Sequence, residues 1–299
     1  MRLLYPRKES LLPVLCLLPA LLLCWQAPTQ AGESGTGERP SAPAVHEYTF
    51  GIFPYLPLVK LEGTFAPLAL ELSKALGRAV HYSSAATFEK FSCRLKDAEF
   101  DIAYIQPFDY VRIAAPAGYL PVAKRRTPLF ALFVVKRENA FKGLHDLKGA
   151  TVVFPPEESA MSYLGKAALI ENGLRPERDM TVRYAKEHHS CLQQVAVGEA
   201  AACVTSEASL RAFDRALQEK LRVLEKTPDI PPVLFVVHKR VPPKDRKAIK
   251  QTLLKTTLSG VAPELRAPLA ADGAKPFIAA AAADYEVVRR YAEVIAQEQ

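Results

Sequence analysis

Strand-like and helix-like segments alternate along this chain, pause, and then alternate again. That double run limits its possible folds more than any other feature. In the first half "VHEYTFGIFPYLP" (Val45–Pro57) has strand periodicity up to Phe53, and "TFAPLALELSKALG" (Thr64–Gly77) has helical apolar spacing with a terminal glycine. The strand "AVHYSS", the helix "TFEKFSCRLKDA" begun by Thr87, the strand "FDIAYI", a helix from Pro107 and the strand "YLPVAK" follow in order. The pattern restarts with "ATVVFP" (Ala150–Pro155), a helix from Ser159 to about Asn172, "MTVRYA", a helix from about Ser190 to Val197, and "AAACVT". Such alternation builds mostly parallel sheets covered by helices. The apolar segments "LFALFVVK" (Leu129–Lys136) and "VLFVVHK" (Val233–Lys239) flank the second run and read as a pair of crossings. The expected fold is therefore α/β, with two lobes and two crossover strands. Residues 46–128 and 243–299 form lobe 1, and residues 129–242 form lobe 2.

In open α/β sheets, ligands lie beyond the carboxyl ends of the strands. "FDIAYIQPFDYV" (Phe100–Val111) places Tyr104 and Gln106 at such an end, because Pro107 cannot continue a strand ladder but suits the first turn of a helix. The matching element of the second run is "FPPEESAMSYLG", a strand, a polar turn and a helix start that carries Ser159 and Ser162. Backbone N–H groups and the dipole at a helix start favour an anion.

The first 31 residues read as a secretory signal peptide. Arg2, Arg7 and Lys8 precede the apolar run Leu11–Trp25, and small residues surround Ala31. A bilayer span needs about 20 apolar residues, and this run also holds two prolines. Lipid anchoring at Cys24 is the alternative, disfavoured by bulky Leu23. Residues 32–44 are rich in Gly, Ser and Pro and read as a flexible lead. Cleavage after Ala31 removes three basic residues and one acid, so the formal charge falls from +7 to +5. That modest excess suits a small anionic ligand. Nucleic acid is excluded as a partner, since no Lys/Arg cluster with interleaved aromatics occurs. Arg125 and Arg126 read as a solvated pair. Three cysteines remain, Cys93, Cys191 and Cys203, and an odd number makes no complete framework. A Cys191–Cys203 bridge is conceivable after export, but no disulfide is expected to be required, and both residues read as small buried hydrophobes.

Five segments in order, "PLALELSKALG", "FDIAYIQPFDYV", "LHDLKGATVVF", "AKEHHSCLQQVAVGEA" and "RVPPKDRKAIKQTLL", resemble the substrate-binding proteins of ABC importers for phosphonate, phosphite and phosphate. The resemblance covers nearly all of residues 46–290. It implies a type II periplasmic-binding fold whose lobes close on an oxyanion. Tyr55 and Tyr104 match the family's first-lobe tyrosines, Ser159 the first hydroxyl of its Ser-Thr-Ser helix start, and His189 its histidine. Ala160 and Met161 stand where that helix start has Thr and Ser. Ser190 replaces the acid after the histidine, and Ala201 stands where a further acid is expected.

The ligand-binding set implied is Tyr55, Tyr104, Gln106, Ser159, Ser162 and His189. No catalytic residues and no cofactor are assigned, because no GxSxG, P-loop or paired-carboxylate pattern occurs. "HHSC" (His188–Cys191) lacks the spacing of a closed metal site, so no metal is expected either. The function implied is that of an exported, periplasmic solute-binding protein of an ABC importer. It acts as a monomer, captures a small oxyanion by lobe closure and delivers it to the permease membrane subunits. A sensory or accessory binding protein of the same fold is the alternative, and an α/β enzyme ranks third.

Overall fold

The computed structural model describes residues 46–298 except 262, 264, 265, 267 and 268. The signal peptide, Cys24 and the flexible lead lie outside the described residues. Residues 45–299 form one compact unit.

Two mixed sheets organise this unit. The first six strands are β1 (Tyr48–Ile52), β2 (Val80–Ser83), β3 (Ile102–Ile105), β4 (Tyr119–Arg125), β5 (Leu132–Lys136) and β6 (Thr151–Phe154). The rest are β7 (Thr181–Tyr184), β8 (Ala202–Thr205), β9 (Leu221–Lys226), β10 (Leu234–His238) and β11 (Phe277–Ala279). One sheet has the order β11-β4-β10-β3-β1-β2, the other β7-β6-β8-β5-β9. In each, three strands joined through helices pair in parallel, β1 with β2 and β3, and β6 with β7 and β8. The connections between sheets give the antiparallel pairs, β10 with β3 and β4, and β5 with β8 and β9.

The apolar strands β5 and β10 are not themselves the crossings. Each is embedded in a sheet, with every side chain of β10 buried. The chain crosses in the segments just before them, residues 126–131 and 227–233, which touch through mutual backbone hydrogen bonds between Leu129 and Ile230 of 2.9 and 2.8 Å. Sequence pattern alone groups residues 129–242 in lobe 2, but strand pairing puts β10 in the six-stranded sheet. A fully apolar strand fits either sheet, so its pattern carries no label of which one it joins.

The helices that matter for the site begin where strands stop. Helix α1 (Leu58–Leu76) follows β1 after Pro57 and ends at Gly77, whose φ of 64° is the left-handed turn that glycine adopts freely. Helix α2 (Phe88–Lys96) is capped by Thr87, which accepts the Lys90 N–H at 3.2 Å. A short helix α3 (Pro107–Asp109) follows β3 and continues into a π-helical turn, Tyr110–Ala114. Helix α4 (Ala160–Glu171) follows β6 with Ser159 as its cap. It packs close to the sheet, since a Cβ at Gly165 would lie 2.8 Å from Val204 and 2.9 Å from Phe154. Helix α5 (His188–Val197) follows β7 and starts two residues before the expected Ser190.

Cys191 of α5 and Cys203 of β8 form a disulfide, the bridge that sequence left conceivable, rather than standing as two free buried thiols. The helix lies directly over the strand, bringing the two Cα atoms to 5.6 Å, inside the range a bridge spans. An odd cysteine count forbids a complete pairing, not a single pair. The leftover Cys93 sits exposed on α2, in the other half of the molecule.

Candidate functional site

Sheet register gathers the first wall. Tyr104 of β3 and Ala123 of β4 both lie opposite Phe235 of the intervening β10. Arg125, two residues beyond Ala123, therefore shares their face and stands one step nearer the carboxyl ends. Tyr104 is 3% exposed and packs against Phe53, Phe65 and Phe235, with ring centroids 5.8, 5.2 and 4.6 Å away. Tyr55, half-buried in the turn after β1, stacks on Phe53 at 4.6 Å and lies 6.5 Å from the Tyr104 ring.

Burial pushes the Tyr104 hydroxyl up to about 12, although Arg125 works the other way by charge and hydrogen bonding. Tyr55 is raised as well, by burial first and Tyr104 second. Both hydroxyls thus stay protonated at neutral pH and can donate. Burial alone would lower the Arg125 pKa, but Tyr104, Asp272 and Tyr55 outweigh it and hold the guanidinium above its ordinary value.

Arg125 is not the solvated residue that sequence suggests. Its Nε and Nη2 donate to one oxygen of Asp272 at 2.8 and 2.7 Å, and the Asp272 side chain is 0% exposed. The other Asp272 oxygen accepts the backbone N–H groups of Arg126 and Thr127 at 2.9 and 2.6 Å. One buried carboxylate thus fixes both the guanidinium and the start of the first crossing segment. Arg125 N–H donates to Val233 O at 3.1 Å, tying in the second crossing. Nothing local in "AKRRTP" reveals this, because Asp272 is 147 residues away.

The second wall is the start of α4. Ser159 caps the helix, its Oγ accepting the Ser162 N–H at 3.2 Å, and is 6% exposed. Ser162 is fully buried and donates to Pro156 O at 2.9 Å, so its hydroxyl is spent within the turn. Gln106 spans the two walls. Its Nε2 donates to Glu158 O at 2.5 Å, and its Oε1 accepts the Ala160 N–H at 2.7 Å. Beside it Phe108 stacks on Tyr163 at 4.7 Å, while Arg112 lies over the Tyr163 ring and donates to its hydroxyl. A cavity of about 230 Å³ opens next to this contact, lined by Arg112, Glu157, Glu158, Tyr163 and Lys166 among others. Neither Tyr55 nor Tyr104 lines it.

Asp109 is buried in the same contact, 3% exposed, and its Oδ2 has no hydrogen-bond partner. Burial pushes its carboxyl up to about 7, against the pull of Gln106 and Arg112, and Glu158 adds to the rise.

The structure thus brings Tyr55 and Tyr104 together, and Gln106 together with Ser159 and Ser162. His189 stands apart, exposed, its ring edge-on to Phe213 at 5.9 Å. Its neighbour His188 is the one turned inward, 3.0 Å from Thr205 Oγ1, and burial pushes it down to about 4. Arg125, Asp272 and Asp109 were not legible as site residues. Among the described residues no cluster of three or more His, Cys, Asp or Glu could hold a metal ion.

Residues 50–285 match the family described as the periplasmic substrate-binding protein of phosphonate ABC transporters. The chain belongs to that family. Its members are transport proteins rather than enzymes, and no described helix here is long and apolar enough to cross a membrane. No curated protein sequence matches the chain. Among solved structures it is similar to the PhnD1 protein of Prochlorococcus marinus in complex with methylphosphonate, at 18% identity and a TM-score of 0.69 over 82% of this chain and 97% of that one. A binding protein component of a Pseudomonas aeruginosa ABC phosphonate transporter gives 16% identity and a TM-score of 0.68, over 84% and 87%. A Xanthomonas citri protein bound to ATP gives 14% identity and a TM-score of 0.70, over 84% and 97%. Such identities carry the fold, the type II periplasmic-binding architecture, and not the ligand.

Proposed function

We propose that this substrate-binding protein captures a small oxyanion of the phosphonate class between the Tyr55–Tyr104 wall and the α4 start, and presents it to an ABC permease. It works as an exported monomer. Closure turns about residues 126–131 and 227–233, the paired crossings, in the manner of hinged two-lobe binders. The observation that carries this reading is the pairing of two walls from different sheets. One offers two protonated phenols beside a guanidinium, the other the positive end of a twelve-residue helix, and Gln106 bridges them.

Tyr55 and Tyr104 are the proposed contacts. Gln106 and Ser159 shape the opposite wall, since the Gln106 amide is bonded to Glu158 O and the Ala160 N–H and the Ser159 hydroxyl donates to Ser162 Oγ at 3.2 Å. Ser162 is left out because its hydroxyl serves the turn, and His189 because its ring faces Phe213. Calorimetric titration of the purified protein with methylphosphonate, phosphite, phosphate and sulfate tests the proposal. Saturable binding of at least one, weakened by Tyr104→Phe, is expected. Failure of all four to bind would refute it.

A further inference from the structure

We propose that the free edge of the five-stranded sheet carries a separate phosphate site, formed by Arg137, Arg215 and Arg222, which takes the phosphate group of an organic phosphate. A cavity of about 380 Å³ opens there, between the edge strand β9 and the short helices α6 (Glu207–Arg211) and α7 (Arg215–Gln218). It lies away from the cleft. Leu132, at the start of β5, stands opposite Thr205 at the carboxyl end of β8, whereas Arg137 leaves the far end of β5 and donates its N–H to Lys220 O at 2.7 Å. Five residues of extended chain put about 17 Å between those two ends.

Two of the three guanidinium groups are held by main-chain oxygens, which fix them without cancelling their charge. Arg137 donates from Nε to Glu219 O at 2.9 Å and from Nη2 to Leu221 O at 3.0 Å. Arg222 donates from Nη2 to Asn139 O at 2.9 Å and to Phe141 O at 2.5 Å. Arg137 Nη1, and Arg222 Nε and Nη1, have no hydrogen-bond partner among the described residues. The Arg215 side chain is 93% exposed, and its Nε lies 3.9 Å from Glu219, the one acid in the lining among the described residues. The acids around the cavity are engaged elsewhere. Glu138 pairs with Lys136 and Glu207 with Arg211, while Asp214 caps α7 by accepting the Leu217 N–H at 3.0 Å. Glu225 stands about 10 Å along β9 from Arg222. Three cations against one acid leave the cavity a positive excess, and Lys220 beside it adds to this. A phosphate ester brings up to two charges at neutral pH and meets donors that the fold has already oriented. Leu210 and Val223, the latter 43% exposed, line the same cavity and suit the organic part.

Two measurements on the purified protein test this, both at about 0.15 M salt. One is calorimetric titration with glycerol phosphate. The other is co-sedimentation with vesicles of phosphatidylglycerol or of phosphatidylcholine. Saturable binding of glycerol phosphate assigns the site to a soluble ester. Binding to phosphatidylglycerol vesicles alone, in preference to phosphatidylcholine, assigns it to a lipid headgroup. In either case Arg137→Gln combined with Arg222→Gln should weaken binding about tenfold or more, and Arg215→Gln about threefold. Arg178→Gln, which removes an exposed charge outside the cavity, should change nothing.

If the double variant does not fold, Arg222→Gln and Arg215→Gln decide, the second being too exposed to carry the fold. The proposal is overturned if the wild type binds neither glycerol phosphate nor phosphatidylglycerol vesicles. It is also overturned by folded arginine variants that bind unchanged, since the binding would then belong to the cleft. An equal loss in Arg178→Gln overturns it too, by reducing the effect to overall charge. None of these results touches the cleft, whose own ligands should titrate identically in the wild type and in the Arg137, Arg215 and Arg222 variants.

Discussion

Two hydroxyls near the contact between the halves face different fates. Tyr104 keeps its proton in a buried aromatic cluster, while Ser162 donates its own to Pro156 O. Tyr104→Phe should therefore cost about 0.5–1.5 kcal/mol of ligand binding, more against a charged oxygen, with little change in stability. Ser162→Ala should do the reverse, lowering stability by about 1 kcal/mol and leaving affinity unchanged. Titration calorimetry and urea unfolding of the two variants separate these outcomes. Arg125→Ala is expected to be the most damaging single change, on the order of 3 kcal/mol in urea unfolding, because it strands the fully buried Asp272 carboxylate. Tyr104 could be read from sequence because a strand, a proline and a helix mark its place within a few residues. Arg125 could not, since a surface arginine and a buried one look the same until the distant partner is known. At His188 and His189 one position of helix phase decides which ring turns in, and local pattern does not fix phase that finely.

Secondary elements were the most legible level, and the reasons are local. Thr87 and Ser159 lie where a hydroxyl cap is needed, Pro107 where a helix can start, and Gly77 where one must end. What local pattern does not carry is which sheet an all-apolar strand joins, or which helix lies over which strand. The short strand β11 carries no signature in sequence, as three residues give no period. The disulfide belongs to the same level, because it pins α5 onto β8 across a separation of 12 residues. A loop of that length implies a stabilisation of about 3 kcal/mol. Replacing both Cys191 and Cys203 by Ala should therefore lower the melting temperature by roughly 6–12 °C, read by scanning calorimetry. A shift below about 2 °C would mean that packing holds the helix unaided. Reductant added to the native protein should act slowly, since both sulfur-bearing residues are fully buried.

At the scale of the whole molecule, the double run of strand and helix specified two sheets, but not how the halves hold each other. That grip is made by Gln106, Phe108 and Arg112 on one side and Glu158, Ala160 and Tyr163 on the other, with Asp109 enclosed among them. Opening the contact would expose Asp109 to water and return its carboxyl to about 3.9, from about 7 in the closed form. The closed form then holds a proton that the open form has released throughout the interval between those values. Its advantage is complete below about pH 4, declines by up to tenfold per unit as pH rises, and is exhausted above about pH 7. Closure should accordingly be favoured in acid and weakened at alkaline pH. Glu158 strengthens the trend by raising the carboxyl, and Gln106 and Arg112 limit it. Small-angle scattering of the ligand-free protein from pH 5 to pH 8.5 should show the radius of gyration increasing with pH. Asp109→Asn, neutral at every pH, should remain compact across that range. A radius that grows equally in the wild type and in Asp109→Asn would assign the opening to other groups.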